Sequence, residues 1–181
     1  CNMGQSSNDS FPTVIHLTII DITKKKLIPC LKKFIKKLEE KKREFDEIIK
    51  IGRTHYQDAT PLTLGSEFGA FESQVTNSLM RIEKAQEELL YLAQGGTAVG
   101  TGLNSSKDFT NGFLKALEKM TGIKFKKSKN YFESLSSHEP ILNFSSAINT
   151  LVSACYKIAN DIRLLSSGPR CGINEITIPA N

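Results

Sequence analysis

The sequence holds only four cysteines in 181 residues: Cys1, Cys30, Cys155 and Cys171. None stands in a C-x-x-C pair, which argues against a zinc ribbon or a redox dithiol. Four thiols in a chain this long do not make a disulfide framework, and a reducing compartment is the simpler expectation. No apolar run approaches the roughly 18–20 residues that a membrane-spanning helix needs. No segment shows a convincing two-residue alternation of apolar and polar side chains, so no strand is expected. The chain starts at Cys1 rather than Met and no basic-then-apolar leader follows. It therefore reads as a fragment in which no secretory signal is visible. The N-x-S triplets at Asn8, Asn104 and Asn143 are then chance matches.

Apolar residues make up 39% of the chain and charged residues 24%, the balance of a globular protein with a core of its own. The net charge of +5 is local. Eleven basic residues fall between Lys24 and Lys50, against five acids (Glu39, Glu40, Glu44, Asp46 and Glu47), so this stretch alone carries +6. The basic residues interleave with Leu27, Leu31, Phe34 and Leu38 at steps of four, three and four. That is the wet face of an amphipathic helix rather than a nucleic-acid surface, since neither aromatic interleaving nor a binding motif accompanies it.

Four helical stretches are predicted. The first opens at Ser10-Phe11-Pro12, capped by Asp9 or Ser10, and runs to about Lys50 with a kink at Pro29. The second spans about Leu62 to Ala93, the third Lys107 to Met120 with a stop at Gly122, and the fourth runs from near Pro140 to just before Gly168-Pro169. In the second, Leu64, Phe68, Phe71, Val75, Ser78, Ile82, Ala85, Leu89 and Leu92 form a row broken only by Ser78. In the fourth, Ile141, Phe144, Ile148, Leu151, Cys155, Ile158, Ile162 and Leu165 keep a three-four repeat throughout. Such repeats mean helices packed nearly parallel, and helices of about 40 Å need long partners, so self-association is expected. The fold class is all-α, a long-helix bundle.

Several motif-like strings fail on spacing. In Gly95-Gly96-Thr97-Ala98-Val99-Gly100-Thr101-Gly102 the phosphate-loop lysine position holds Thr101, and Ser105 replaces the third glycine of a dinucleotide fingerprint. This string reads as a close-packed turn between helices. His138-Glu139 lacks the second zincin histidine, because Leu142 stands there. His16, among Val14, Ile15 and Leu17, reads as a packed or surface histidine rather than a ligand.

Two polar clusters remain. Gln5-Ser6-Ser7-Asn8-Asp9-Ser10 places hydroxyls and a carboxamide just before a helix start. Free N–H groups and the positive end of the helix dipole point there, which suits a carboxylate; an ordinary N-cap box reads the same residues equally well. Gly52-Arg53-Thr54-His55-Tyr56-Gln57-Asp58 links the first and second helices and holds an imidazole among polar neighbours. An imidazole is the side chain best suited to handling a proton near neutral pH, so His55 is the natural proton-handling group here, with Asp58 or another carboxylate to orient it.

Taken together these clusters resemble the class II fumarases of the fumarase/aspartase superfamily. The likeness rests on Ser6-Ser7-Asn8-Asp9 with Phe11-Pro12-Thr13, and on Gly52-Arg53-Thr54-His55 with Gln57 to Gly65. It continues through Gly95 to Asn104, Lys157 to Arg163 and Ser167 to Gly172, so it covers essentially the whole chain. Aspartate ammonia-lyases usually have Thr at the position of Ser7 and Val at that of Thr60, which directs the likeness to fumarases. Tyr56 and Ser66 depart from the usual Leu and Gln.

The resemblance implies roles. Ser6, Ser7 and Asn8 are the carboxylate-binding trio, Thr54 is a second substrate-binding residue contributed from a neighbouring subunit, and His55 is the catalytic histidine. Asn2 is similar to a position near a peripheral dicarboxylate site. The implied reaction is reversible hydration of fumarate to L-malate, with neither metal nor organic cofactor, in a homotetramer whose active sites are each shared by three subunits. No nucleic acid or membrane partner is implied. The compartment is cytoplasmic, or the mitochondrial matrix in a eukaryote. The family's mobile loop, G-S-S-x-M-P-x-K-x-N-P, does not occur within Cys1–Asn181. The chain therefore reads as a central helical-bundle domain, residues 1–181, inactive in isolation. The rival readings are an aspartate ammonia-lyase on the same scaffold and a non-catalytic helical-bundle binding protein.

Overall fold

A computed structural model describes residues 4–180. Asn2 and Cys1 lie outside the described residues. In chain order the elements are α1 (Ser7–Ile22), a π-helical turn (Thr23–Leu27), α2 (Ile28–Glu44), β1 (Ile49–Thr54), β2 (Gln57–Thr63), α3 (Leu64–Leu89), β3 (Tyr91–Leu92), α4 (Phe109–Thr121), β4 (Lys126–Lys127), α5 (Tyr131–Ser136) and α6 (Glu139–Leu165). Helices dominate, as the repeats predict, and α3 and α6 reach 26 and 27 residues.

The chain forms two compact units. One comprises residues 4–29 and 81–147, the other 30–80 and 148–180. In the first, α1 packs on α5 and on β3, and β3 pairs in parallel with β4. In the second, β1 and β2 form an antiparallel hairpin beside α2, the first part of α3 and the last part of α6.

The apolar row expected of the second helix is buried at every position, although α3 ends at Leu89 rather than near Ala93 and Leu92 lies in β3. Leu64, Phe68, Phe71, Val75, Ile82, Ala85, Leu89 and Leu92 are all buried, and so is Ser78, at 1% exposure. Ser78 donates its hydroxyl to the carbonyl of Gln74, 2.8 Å away, so the one polar residue in the row is satisfied within its own helix. In α6 the row alternates: Phe144, Leu151, Ile158 and Leu165 are buried, whereas Ile141, Ile148, Cys155 and Ile162 are half-buried. In the second unit the rings of Phe45 and Phe71 each meet Phe68 edge-on, with centroids 5.1 and 5.4 Å apart. On α2 the basic residues face water while Leu31 and Leu38 are buried. Lys37 with Glu40 and Lys41 with Glu44 form ion pairs along the surface of that helix.

Several boundaries differ from expectation. The first helix begins at Ser7, with Ser6 as its N-cap, because Ser6 and Asp9 form a reciprocal capping box; Pro12 thus lies inside the helix. The disturbance expected at Pro29 falls just before it. Proline offers no N–H to the carbonyl four residues back and crowds it, and the chain accommodates this with a wider turn in which Ile28 N–H reaches the carbonyl of Thr23.

The helix expected to continue to about Lys50 stops at Glu44, and residues 49–63 are a hairpin where no strand was expected. The turn after Glu44 is closed by Leu64 N–H to Ile48 O at 2.8 Å and Gly65 N–H to Phe45 O at 2.9 Å. Gly65 is required there, since a Cβ would stand 2.6 Å from the carbonyl oxygen of Lys42.

Candidate functional site

The first polar cluster lies at the start of α1, in the first unit. Ser6 has extended backbone (φ −134°, ψ 158°), and its Oγ accepts from Asn8 N–H at 3.2 Å. Ser7 and Asn8 are exposed, and Asn8 Nδ2 donates to the carbonyl of Ala98 at 2.8 Å. Asp9 is fully buried. Its Oδ1 accepts from Ser6 N–H at 2.9 Å, while its Oδ2 accepts from Gly95 N–H at 3.1 Å and Thr97 N–H at 2.9 Å. The glycine string is thus a close-packed turn, as its spacing suggested. A Cβ at Gly95 would lie 2.0 Å from Thr110 Oγ1. Ser6, Thr97, Ala98 and Asn104 help line a cavity of about 490 Å³.

The second cluster lies in the second unit, at the tip of the hairpin. Thr54 pairs with Gln57, which leaves His55 and Tyr56 as a two-residue turn with φ of 53° and 58°. Left-handed backbone at both central residues is the type I′ geometry that matches strand twist, usually supplied by Asn-Gly. Here it is imposed on a histidine and a tyrosine, and non-glycine residues held this way concentrate at functional sites. Thr54, His55 and Tyr56 are all exposed. His55 lines a cavity of about 390 Å³ with Arg53, Glu67, Phe71, Lys157 and Asp161.

Asp58 stands opposite Arg53 in the ladder, and its charge acts on that guanidinium. The hairpin is held by ion pairs the sequence reading did not foresee. Lys50 Nζ lies 2.8 Å from Glu67 Oε1 and 2.6 Å from Glu175 Oε2, and Arg53 pairs with Glu175 as well. Burial pushes the Glu175 carboxyl up, but hydrogen bonds from Arg53 and Lys50 outweigh it and hold the group below the usual carboxylate range. The same pairing raises Arg53 further above its ordinary value.

Chemically, the first cluster offers uncharged donors and a helix N-terminus to an anion, and the second offers an imidazole on a projecting turn with its neighbouring arginine already engaged. The two clusters belong to different units of the chain. His16 is packed, as expected. It is 7% exposed, with Nδ1 3.1 Å from the carbonyl oxygen of Tyr91. Among the described residues no group of three or more His, Cys, Asp and Glu side chains gathers so as to hold a metal ion. Of the residues that build these clusters, the sequence reading missed the embedded role of Asp9 and the anchor Glu175. The capping-box spacing from Ser6 to Asp9 was a signal for the first, whereas nothing local pointed to the second.

A family model described as "Lyase" matches residues 1–181. The chain belongs to this lyase family. Its relatives within the family include a class II fumarate hydratase of Rickettsia bellii, 51% identical over 180 residues, which covers 99% of this chain and 39% of that protein. A mitochondrial fumarate hydratase of Saccharomyces cerevisiae is 50% identical over 181 residues, 100% of this chain and 37% of that one. Among solved structures, a class II fumarase of Schistosoma mansoni superposes with a TM-score of 0.93 at 40% identity, covering 94% of this chain and 39% of that one. A fumarate lyase:delta crystallin of Brucella melitensis superposes with a TM-score of 0.95 at 38% identity, covering 99% and 39%. The resemblance to class II fumarases therefore extends over the whole chain, while the chain spans about two fifths of the length of the relatives it matches. Among the described residues, no helix of this lyase-family chain is long and apolar enough to cross a membrane.

Proposed function

We propose that this chain is the central helical-bundle domain, residues 1–181, of a fumarate hydratase. That enzyme is a hydro-lyase adding water reversibly and anti across fumarate to give L-malate, a step of the tricarboxylic acid cycle. The observation that carries the reading is the pairing, in one lyase-family chain, of exposed uncharged donors at a helix start with an imidazole on a strained two-residue turn.

In this mechanism a base removes the proton next to one carboxylate and negative charge builds on that group. Donors already aimed at it lower the barrier. Ser6, Ser7, Asn8 and the first turn of α1 supply them, with Thr54 as a further substrate contact. His55 carries the proton of the leaving or attacking water. The carbon base belongs to the family's mobile loop, outside this sequence, so the isolated chain is inactive. The reaction takes neither a metal nor an organic cofactor.

The two clusters meet in a homotetramer, each site drawing on three subunits. The half-buried row of α6 supports association, since those apolar side chains await further cover. The working compartment is the cytoplasm, or the mitochondrial matrix as the name of the yeast relative suggests; neither nucleic acid nor membrane is a partner.

The test is malate dehydration by the full-length parent, followed at about 240 nm, beside ammonia release from aspartate. Malate turnover without ammonia supports the proposal. Ammonia release makes the protein an aspartate ammonia-lyase. Neither activity, with no dicarboxylate binding by the assembled oligomer, leaves a non-catalytic bundle protein.

A further inference from the structure

We propose that Asp9 is a positioning residue whose buried carboxylate locks the Ser6-Ser7-Asn8 donors to the glycine turn at residues 95–98, and so sets how tightly the site grips a dicarboxylate. The inference rests on the dicarboxylate-binding reading above.

A capping box needs one carboxylate oxygen, reaching back to the N-cap N–H. Oδ1 of Asp9 does this, accepting from Ser6 at 2.9 Å. The second oxygen does something a cap does not require: it accepts from Gly95 and Thr97, 86 and 88 residues away. A carboxyl at 0% exposure is tolerated only when its oxygens are paired, and here three backbone donors pair them. Ser10 Oγ adds a contact 3.3 Å from Oδ1.

Asn8 makes a second link between the same two segments through its amide on Ala98 O. Thr97 shows what the lock holds in place. It is a buried non-glycine residue with φ of 56°, a conformation that persists only where its surroundings over-determine it. Its N–H is fixed on Asp9, while its Oγ1 has no hydrogen-bond partner among the described residues. Ser6 and Thr97 line the same cavity, so the spacing of its polar wall depends on the carboxylate between them.

Asp9 itself is not among the residues lining that cavity. As a negative charge it would oppose a dianion, so its contribution is one of geometry. Asparagine in its place offers one oxygen for two sets of donors. It keeps either the cap or the turn and sets an N–H₂ against the other.

The experiment uses the full-length assembled protein. Wild type and Asp9→Asn are compared by malate KM and kcat separately, by the pH profile of kcat, and by calorimetric binding of succinate, an unreactive dicarboxylate. Asp9→Asn is expected to assemble, with KM raised and succinate affinity reduced by about tenfold or more, the order of a hydrogen bond lost at a charged group. The pH profile should stay in place, because the proton-handling group sits on the hairpin. An assembled variant with KM and succinate affinity within about twofold of wild type overturns the proposal, as does one that loses kcat alone.

If Asp9→Asn does not assemble, Ser10→Ala decides. It removes a hydroxyl shared among Asp9 Oδ1, Gln5 Oε1 and Gln94 Oε1, at 3.3, 3.0 and 3.2 Å, and should raise KM by roughly two- to fivefold with succinate affinity falling in step, the scale of one hydrogen bond; an unchanged KM overturns the proposal. A wild type that binds succinate but does not turn over malate sinks the hydratase reading instead, and the succinate comparison still decides for Asp9.

Discussion

Arg53 and Glu175 stand 122 positions apart in the chain and are joined side chain to side chain, two residues before His55. Glu175 also meets Lys50, whose side chain is only 8% exposed and whose other partner is Glu67. A segment near the end of the chain therefore anchors the strand that presents the imidazole. The pairing is enclosed enough to matter, unlike the ion pairs along α2, whose partners face solvent on both sides.

The first expectation concerns pH. The folded state holds Glu175 below the ordinary carboxylate range, so its contribution to stability is fully present above the unfolded value of about 4.3. That contribution is lost as pH falls through the lowered folded value. Glu175→Gln should lower the stability of the assembled parent at pH 7, read from urea unfolding, by on the order of 1–3 kcal/mol for charge-assisted bonds lost. It should also shrink the difference from wild type as the medium is acidified below about pH 4. Equal midpoints at pH 7 would show that the anchor carries no stability.

His16 gives an independent pH dependence of the same sign. Burial lowers its pKa, and the carbonyls of Tyr91 and Leu89 only partly restore it. Below about pH 6.5 the unfolded chain takes up a proton that the folded ring resists, so stability falls with pH, by at most about 1.4 kcal/mol per unit from this group. His16→Gln should flatten the slope of stability between pH 7 and pH 5.5. An unaltered slope would place the dependence elsewhere.

For catalysis, His55→Asn in the full-length protein should cut malate turnover by roughly 10²-fold or more, the usual cost of losing an acid–base group. Steady-state rates at 240 nm read this directly, and undiminished turnover refutes the assignment.

Tyr56 separates strain from chemistry. It is 79% exposed and held at φ 58°, where a side chain costs about 1 kcal/mol relative to glycine. Tyr56→Gly should stabilise the hairpin, or leave it unchanged once the added freedom of the unfolded chain is counted. A fall in thermal midpoint of several degrees would mean that the ring makes stabilising contacts in the assembled protein.

The helices were legible because burial is periodic. Each position of the row from Leu64 to Leu92 is covered, and even the break at Ser78 lies on the buried stripe. The hairpin was not legible, for a physical reason. Most residues of β2 are exposed, so no alternation marks it, and its turn is His55-Tyr56 rather than the glycine-bearing pair that announces type I′ geometry. Ser6 to Asp9 could be read as a cap or as an anion site, and the structure has the cap in full. What no local pattern conveys is that a capping carboxylate can have its second oxygen taken up by a turn in a distant part of the chain.

The amides of Gly95 and Thr97 already have an occupant in Asp9. A nucleotide arriving at this stretch would have to evict a fully enclosed side chain before its phosphates met those N–H groups, and the evicted residue would release Ser6 as well. The most glycine-dense segment of the molecule is thus committed to internal bonding, and anions from solution are left with the donors at the rim.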